Sequence, residues 1–469
     1  MGVRARIVGA LVALAVLTSC GSRVDPPADL SVGETATSTE TGGGGEGGGG
    51  DQVMFGTLAS PCGPGEPSGG SLDVGVSDEK IVIGTIADPG GPVPGLNQGI
   101  HDSVVAFGDW CNAQGGINGR ELEVLELDAK LFEYKQRVLE SCDTAFALVG
   151  GLGVFDDTGA QDQVDCGLPN VPASGLSAAQ AEADLTWYAL PNPIYEYQVG
   201  MGIWSKENDP EAVEHAAAIY TDSAPTKRQK DRLVEAYTSI GFDFVEEVPV
   251  GIGETNWDPK VIAMKDAGVQ WLTYTGTYED MVGLQKAAAD QDFDPVVELE
   301  ANFYNRSYPE QAGSAADGSF IRLTQWPFEE AADNPAQAAY LEALEAAVPG
   351  AEPELLGVQA WSAALLFATA VDALGDDVTR EGLAAELATV TEWDGGGLHG
   401  VTNPAENTPS SCFIVMRVAD GGFVRHYPLP DEDAEVYEAG NGFACPPLEE
   451  STAILTGDYG TGAKAKGGG

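Results

Sequence analysis

The sequence predicts an α/β protein built as two doubly wound parallel-sheet lobes. Three observations carry that prediction. Short β-branched runs alternate with amphipathic helices from Lys80 onward. About 380 residues remain after a leader and a glycine-rich linker, enough for two cores. Beyond Gln325 the texture changes to three successive helices with no strand between them.

The chain opens with Arg4 and Arg6 ahead of the apolar run IVGALVALAVL at 7–17. A charged start followed by such a run is a secretory leader, and it falls short of the ~20 apolar residues that a bilayer span needs. The leader ends in Leu17-Thr18-Ser19-Cys20. That stretch resembles the lipobox of bacterial lipoproteins, which implies a signal peptide over 1–20, lipidation of Cys20, and an extracytoplasmic protein anchored to the cell membrane of a bacterium. Two acyl chains anchor stably, at about 0.8 kcal/mol per buried methylene. Residues 21–75, which include TATSTETGGGGEGGGGDQ, read as a flexible linker. Some 40 such residues reach roughly 35 Å.

The first lobe begins at IVIGTIA (81–87), apolar at nearly every position as a parallel strand buried on both faces should be. Ile100, Val104, Phe107 and Cys111 then recur on one helical face. Strands are expected at 122–129, 146–151, 170–175 and 186–191, with helices over 132–142 and after Asp156. A helix over 194–204 leads into a second lobe with strands at 216–222, 244–250, 270–276, 295–301 and 320–325. Helices at 335–347, 358–374 and 380–390 follow. A strand pair, CFIVMRV and FVRHYPL, closes the fold. The expected domains are 76–191 with 326–394, 192–325 with 395–446, and a disordered tail over 447–469.

Acidic residues outnumber basic ones 73 to 23, a net charge of −50 that excludes nucleic acid as a partner. Besides Cys20 there are six cysteines, and six outside the cytoplasm suggest three disulfides among 15 possible pairings. The favoured set is Cys62–Cys111, Cys142–Cys166 and Cys412–Cys445; Cys142 and Cys166 each precede a strand, and those strands should be neighbours. No metal is expected, because the cysteines lack CxxC spacing and His101, His215, His399 and His426 form no HExxH pattern. Gly151-x-Gly153 is an incomplete dinucleotide fingerprint with Asp156 at the third glycine position, and no GxSxG elbow exists. Neither a cofactor nor catalysis is expected.

Residues 90–130, with Gly115-Gly116-Ile117-Asn118-Gly119-Arg120 and the strand-ending Asp128, resemble the opening of the branched-chain amino-acid binding proteins of ABC importers, the type I periplasmic-binding fold. The likeness covers about residues 77–429. It implies two lobes joined by a three-segment hinge, with passages near Pro191, Gln325 and Gly395, and a ligand trapped between them. It further implies an extracytoplasmic solute-binding lipoprotein, monomeric, that hands a small polar metabolite such as an amino acid or amide to a membrane permease. A ligand sensor of the same fold and, less favoured, an extracellular enzyme are the alternatives.

Carried over position by position, the implied ligand residues are Gly91, Gly153, Phe155, Asp156, Ala173 and Ser174 on lobe one. On lobe two they are Tyr220, Tyr278, Asn302 and Tyr304, with Glu300 as the acidic group nearest the last loop. Where the family places Ser or Thr to hold a ligand carboxylate, this chain has Phe155 and Asp156. That departure weighs against α-amino-acid recognition while leaving the loop's backbone N–H groups available.

Overall fold

The computed structural model describes residues 53–70 and 72–465; the leader, Cys20, residues 21–52 of the linker and residues 466–469 lie outside the described residues. The first described segment is part of the body. Strands β1 (Met54–Phe55) and β2 (Leu58–Ala59) form a hairpin whose turn uses Gly56 at φ 55°, a left-handed conformation suited to glycine. Phe55 is fully buried against Trp110 and Trp361, ring centroids 5.6 and 5.5 Å away, and Cys62 is bonded to Cys111. The linker expected over 21–75 therefore ends before Val53, because one phenylalanine and one disulfide fix the chain from there on.

In lobe one, β3 (Lys80–Ala87), β4 (Glu121–Asp128), β5 (Ala147–Val149) and β6 (Asn170–Val171) make a parallel sheet ordered β4-β3-β5-β6. The strand expected at 186–191 is reduced to a single bridge from Thr186 to Asn170. Ile100, Val104, Phe107 and Cys111 all lie buried on the Gln98–Ala113 helix, as their spacing predicts. Against that face pack the Pro335–Ala347 and Leu355–Leu374 helices. Leu355–Leu374 is apolar enough to span a membrane, but 72% of its apolar window is buried in this core. Trp361 sits at the centre, 5.2 Å from Phe107 and 5.4 Å from Tyr340, and each such edge contact adds about 0.5–1.5 kcal/mol beyond its buried area.

After β7 (Glu196–Gln198), lobe two contributes β8 (Ala216–Thr221), β9 (Phe244–Val250), β10 (Trp271–Thr275), β11 (Val296–Leu299), β12 (Phe320–Leu323), β13 (Ile414–Ala419) and β14 (Gly422–Tyr427). They form one seven-stranded sheet, β14-β13-β12-β11-β10-β8-β9, parallel from β8 to β12 with the last hairpin antiparallel. The edge strand β9 alternates half-buried and exposed residues and tolerates Pro249, which a central strand would not. The helix expected over 194–204 starts later, at Gly200, because residues 196–198 are taken up by strand pairing.

Their partner is β15 (Thr452–Ile454), in a segment expected to be disordered. From there the chain runs on as a strap: Glu235 of lobe two accepts from Thr456 N, Gly457 N and Tyr459 OH. Further on, Ala463 N donates to Ala179 O and Ala465 N to Asp184 on lobe one. The composition of the tail hid these contacts, since most are made by backbone.

The two main cores are separate. One gathers Phe55, Ile83, Leu190, Ala336, Trp361 and Leu398; the other Ile219, Leu272, Leu323, Ile414 and Met416. Three passages connect them, and the strap adds a fourth link. The third runs between Leu398 and Ile414, later than Gly395, because Leu398 packs into the first core. The second and third lie side by side, Trp326 N donating to Leu398 O.

Candidate functional site

Both sheets place their first strand between the second and the third, so a crevice opens beyond the carboxyl ends of β3 and β5 in one lobe and of β8 and β10 in the other. Those four ends, with the loops after β6 and β11, define the candidate site.

On lobe one the loops are tied together by carboxylates, two of them buried. Asp88, directly after β3 and fully buried, accepts from Leu131 N at 2.7 Å and Val154 N at 2.8 Å. Asp128, ending β4, accepts from Gly90 N at 3.2 Å and Lys130 N at 2.9 Å. Asp156 accepts from Leu176 N at 2.7 Å and Ser177 N at 3.1 Å, so it joins the loop after β5 to the loop after β6. Burial pushes its carboxyl up to about 7, against the pull of those donors.

Asp156 is thus an internal fastener, and its charge is not presented to a ligand. Gly153 lies against the Tyr134 ring where a Cβ would clash, and Ala173 is buried with its N–H donating to Gly151 O. Gly91 is exposed at φ 83°. Two predicted groups are free of internal duty. Ser174 is half-buried and makes no hydrogen bond; Phe155 is half-buried and stacks on Phe132, centroids 5.5 Å apart at 19°. Phe132 is 72% exposed at the rim, an apolar wall that the sequence reading assigned only to the start of a helix.

On lobe two, Tyr220 is buried with the Lys230 ammonium 4.9 Å from its ring centre. The Thr221 hydroxyl meets Tyr274 OH at 2.8 Å, which in turn donates to Asp280 at 3.1 Å. Tyr278 is half-buried at the start of the Tyr278–Asp290 helix, which Thr277 caps, and burial raises its phenol. Asn302 is exposed and donates to Gly276 O at 3.2 Å.

Two implied residues are committed elsewhere. Tyr304 is 3% exposed, donates to Glu329 and accepts from Phe328 N at 2.8 Å, so it holds the second passage and its hydroxyl is taken. Glu300 accepts from Arg322 at 2.6 Å and Tyr197 at 2.9 Å, so the acidic group nearest the last loop is already paired within lobe two. At the head of the Leu355–Leu374 helix the lobes touch: Asn305 of lobe two donates to Glu354, 3.4 Å away, and Leu355 packs against the lobe-two core.

A profile of the periplasmic binding protein family matches residues 80–422. No curated protein matches the chain. Among solved structures, a fatty acid ABC transporter substrate-binding protein from Thermomonospora curvata superposes with a TM-score of 0.63 at 17% identity, over 82% of this chain and 100% of that one. An ABC transporter solute-binding protein from R. palustris, in complex with benzoate, gives 0.63 at 16% identity over 78% and 97%. A leucine-binding protein from Thermotoga maritima gives 0.62 at 15% identity over 74% and 97%.

Proposed function

This chain belongs to the periplasmic binding protein family, and from that premise we propose that it is an extracytoplasmic solute receptor of an ABC importer, capturing a small organic metabolite between its lobes and handing it unaltered to a membrane permease. The observation that carries this reading is the pair of separate main cores linked by three passages and the carboxyl-terminal strap, each sheet offering a crevice at its carboxyl end. Such an arrangement closes by hinge motion around a ligand. An uncommitted hydroxyl at Ser174 and the Phe132–Phe155 stack, all on loops beyond the carboxyl ends of the lobe-one strands, supply a polar group and an apolar wall, the mixture a small-molecule site requires.

The likeness to proteins described as binding a fatty acid, benzoate or leucine supports a ligand of that size. Three disulfides belong to an oxidising compartment, and the LTSC sequence ending at Cys20 supports lipid anchoring there. Mass spectrometry of small molecules released from the purified protein tests the reading, followed by a thermal-shift panel of acids, amides and amino acids. A ligand that binds only the folded form raises its stability. An empty protein that no member of the panel stabilises would refute solute capture.

A further inference from the structure

We propose that Arg228 reads the charge of the captured solute, and that the solute therefore carries an anionic group, a carboxylate above all; the proposal rests on the solute-capture reading. In a chain with 73 acidic and 23 basic residues, almost every positive side chain should find a carboxylate. At the cleft end of the lobes they do: Lys130 pairs with Glu133 at 3.4 Å, Lys260 with Glu254 at 2.9 Å, Arg306 with Glu310 at 2.8 Å and Arg322 with Glu300 at 2.6 Å. Lys230 lies between Asp231 and Glu247.

Arg228 is the exception. It is half-buried, makes no ion pair or hydrogen bond, and its Nε is shielded from solvent with no acceptor. Among the described residues Lys286 and Arg417 also lack a partner, but both are exposed and water serves them. A guanidinium nitrogen shut off from water with no acceptor carries a desolvation cost, and the planar fork of donors, which no group in the protein engages, fits a carboxylate in a bidentate pair.

Its place in the fold agrees. The Ala224–Ser239 helix starts just past the carboxyl end of β8, so Arg228, in its second turn, lies at the cleft end of lobe two. One turn further along, Arg232 donates to the carbonyls of Pro193, Ile194 and Glu196 in the first passage. Residues four apart share a helix face, so Arg228 sits at the corner where cleft and hinge meet. On lobe one, four of the loop amides are already engaged by carboxylates. The amides of Leu131 and Val154 are taken by Asp88, and those of Leu176 and Ser177 by Asp156.

The test uses matched probes on the intact secreted chain: benzoate against benzamide, octanoate against octanamide, and isoleucine against isoleucinamide, read by calorimetry and thermal shift with wild type, Arg228→Gln and Arg228→Lys. At least one acid should bind wild type while its amide binds about tenfold or more weaker. Arg228→Gln should lose the acid by a similar factor, with Arg228→Lys between the two, since lysine keeps the charge and loses the fork. The unliganded melting temperature of Arg228→Gln should match or exceed that of wild type, because no internal partner is removed. Equal acid binding by Arg228→Gln, or amides binding while acids stay silent, overturns the proposal and leaves solute capture standing. Silence toward every probe from a protein that also releases no small molecule overturns both.

Discussion

Asp156 Oδ1 lies 3.1 Å from the backbone nitrogen of Ser177, and through that bond the loop after β5 holds the loop after β6 in place beside Ser174. The carboxyl that does so is 1% exposed and titrates at about 7, well above its ordinary 3.8. A folded-state value raised above the unfolded one contributes stability that is complete below about 4 and is lost as pH rises through about 7. Wild type should therefore lose stability across that window more steeply than Asp156→Asn, whose side chain does not titrate. Urea denaturation at several pH values checks this; parallel curves for the two proteins would contradict it.

A second buried carboxyl behaves alike but is held differently. Glu298 is raised to about 7 by burial, with Ser205 and Tyr237 donating to it, the latter at 2.5 Å. Tyr237→Phe removes a donor that favours the ionised form. The variant should be less stable by about 1–3 kcal/mol, with the larger loss at the alkaline end. A loss that stayed constant from pH 5 to 9 would mean that Glu298 remains neutral throughout.

Arg232 anchors the first passage to lobe two from a position only 2% exposed. Arg232→Ala strands several buried carbonyls and should cost about 2–4 kcal/mol in chemical denaturation. It should also broaden the interlobe distance distribution seen by small-angle scattering. A variant as stable as wild type would show that water replaces the guanidinium without loss.

Ending the chain after Ile454 removes the strap that touches Glu235 on one lobe and Ala179 and Asp184 on the other. The two main cores keep every residue, while Leu455 and Tyr459 leave the smaller cluster around Tyr237 and Trp271, so the truncated protein should still fold but melt at a lower temperature. Amide exchange in residues 178–184 should accelerate about tenfold or more, since the bonds that hold that segment open locally. Unchanged protection there would assign the strap no part in holding lobe one.

Strand and helix positions were readable wherever burial imposes a period. Ile100, Val104, Phe107 and Cys111 announced a core-facing helix, and IVIGTIA announced a strand covered on both sides. The Cys142–Cys166 disulfide followed from strand adjacency, and β5 and β6 are indeed paired. What composition concealed was order imposed from a distance. Residues 53–75 are polar and glycine-bearing, yet Phe55 and Cys62 secure their beginning; the strap is held largely through its backbone.

At the site, the correct loops could be named from strand ends, but the duties of individual side chains could not. Whether Asp156, Tyr304 and Glu300 face a ligand or a neighbour depends on partners some 20, 25 and 22 positions away, as with Leu176, Glu329 and Arg322. Asp88 carried a signal, an aspartate closing a buried strand ahead of Pro-Gly. Arg228 carried none, since its isolation is visible only once every carboxylate has been placed.

The hairpin at Met54–Ala59 and the Cys62–Cys111 bond have a mechanical corollary. Any pull arriving from upstream of Val53 is borne first by lobe one and reaches lobe two through the three slender passages and the strap. In a molecule moored at its amino end, lobe one is the fixed jaw and lobe two is the one that travels.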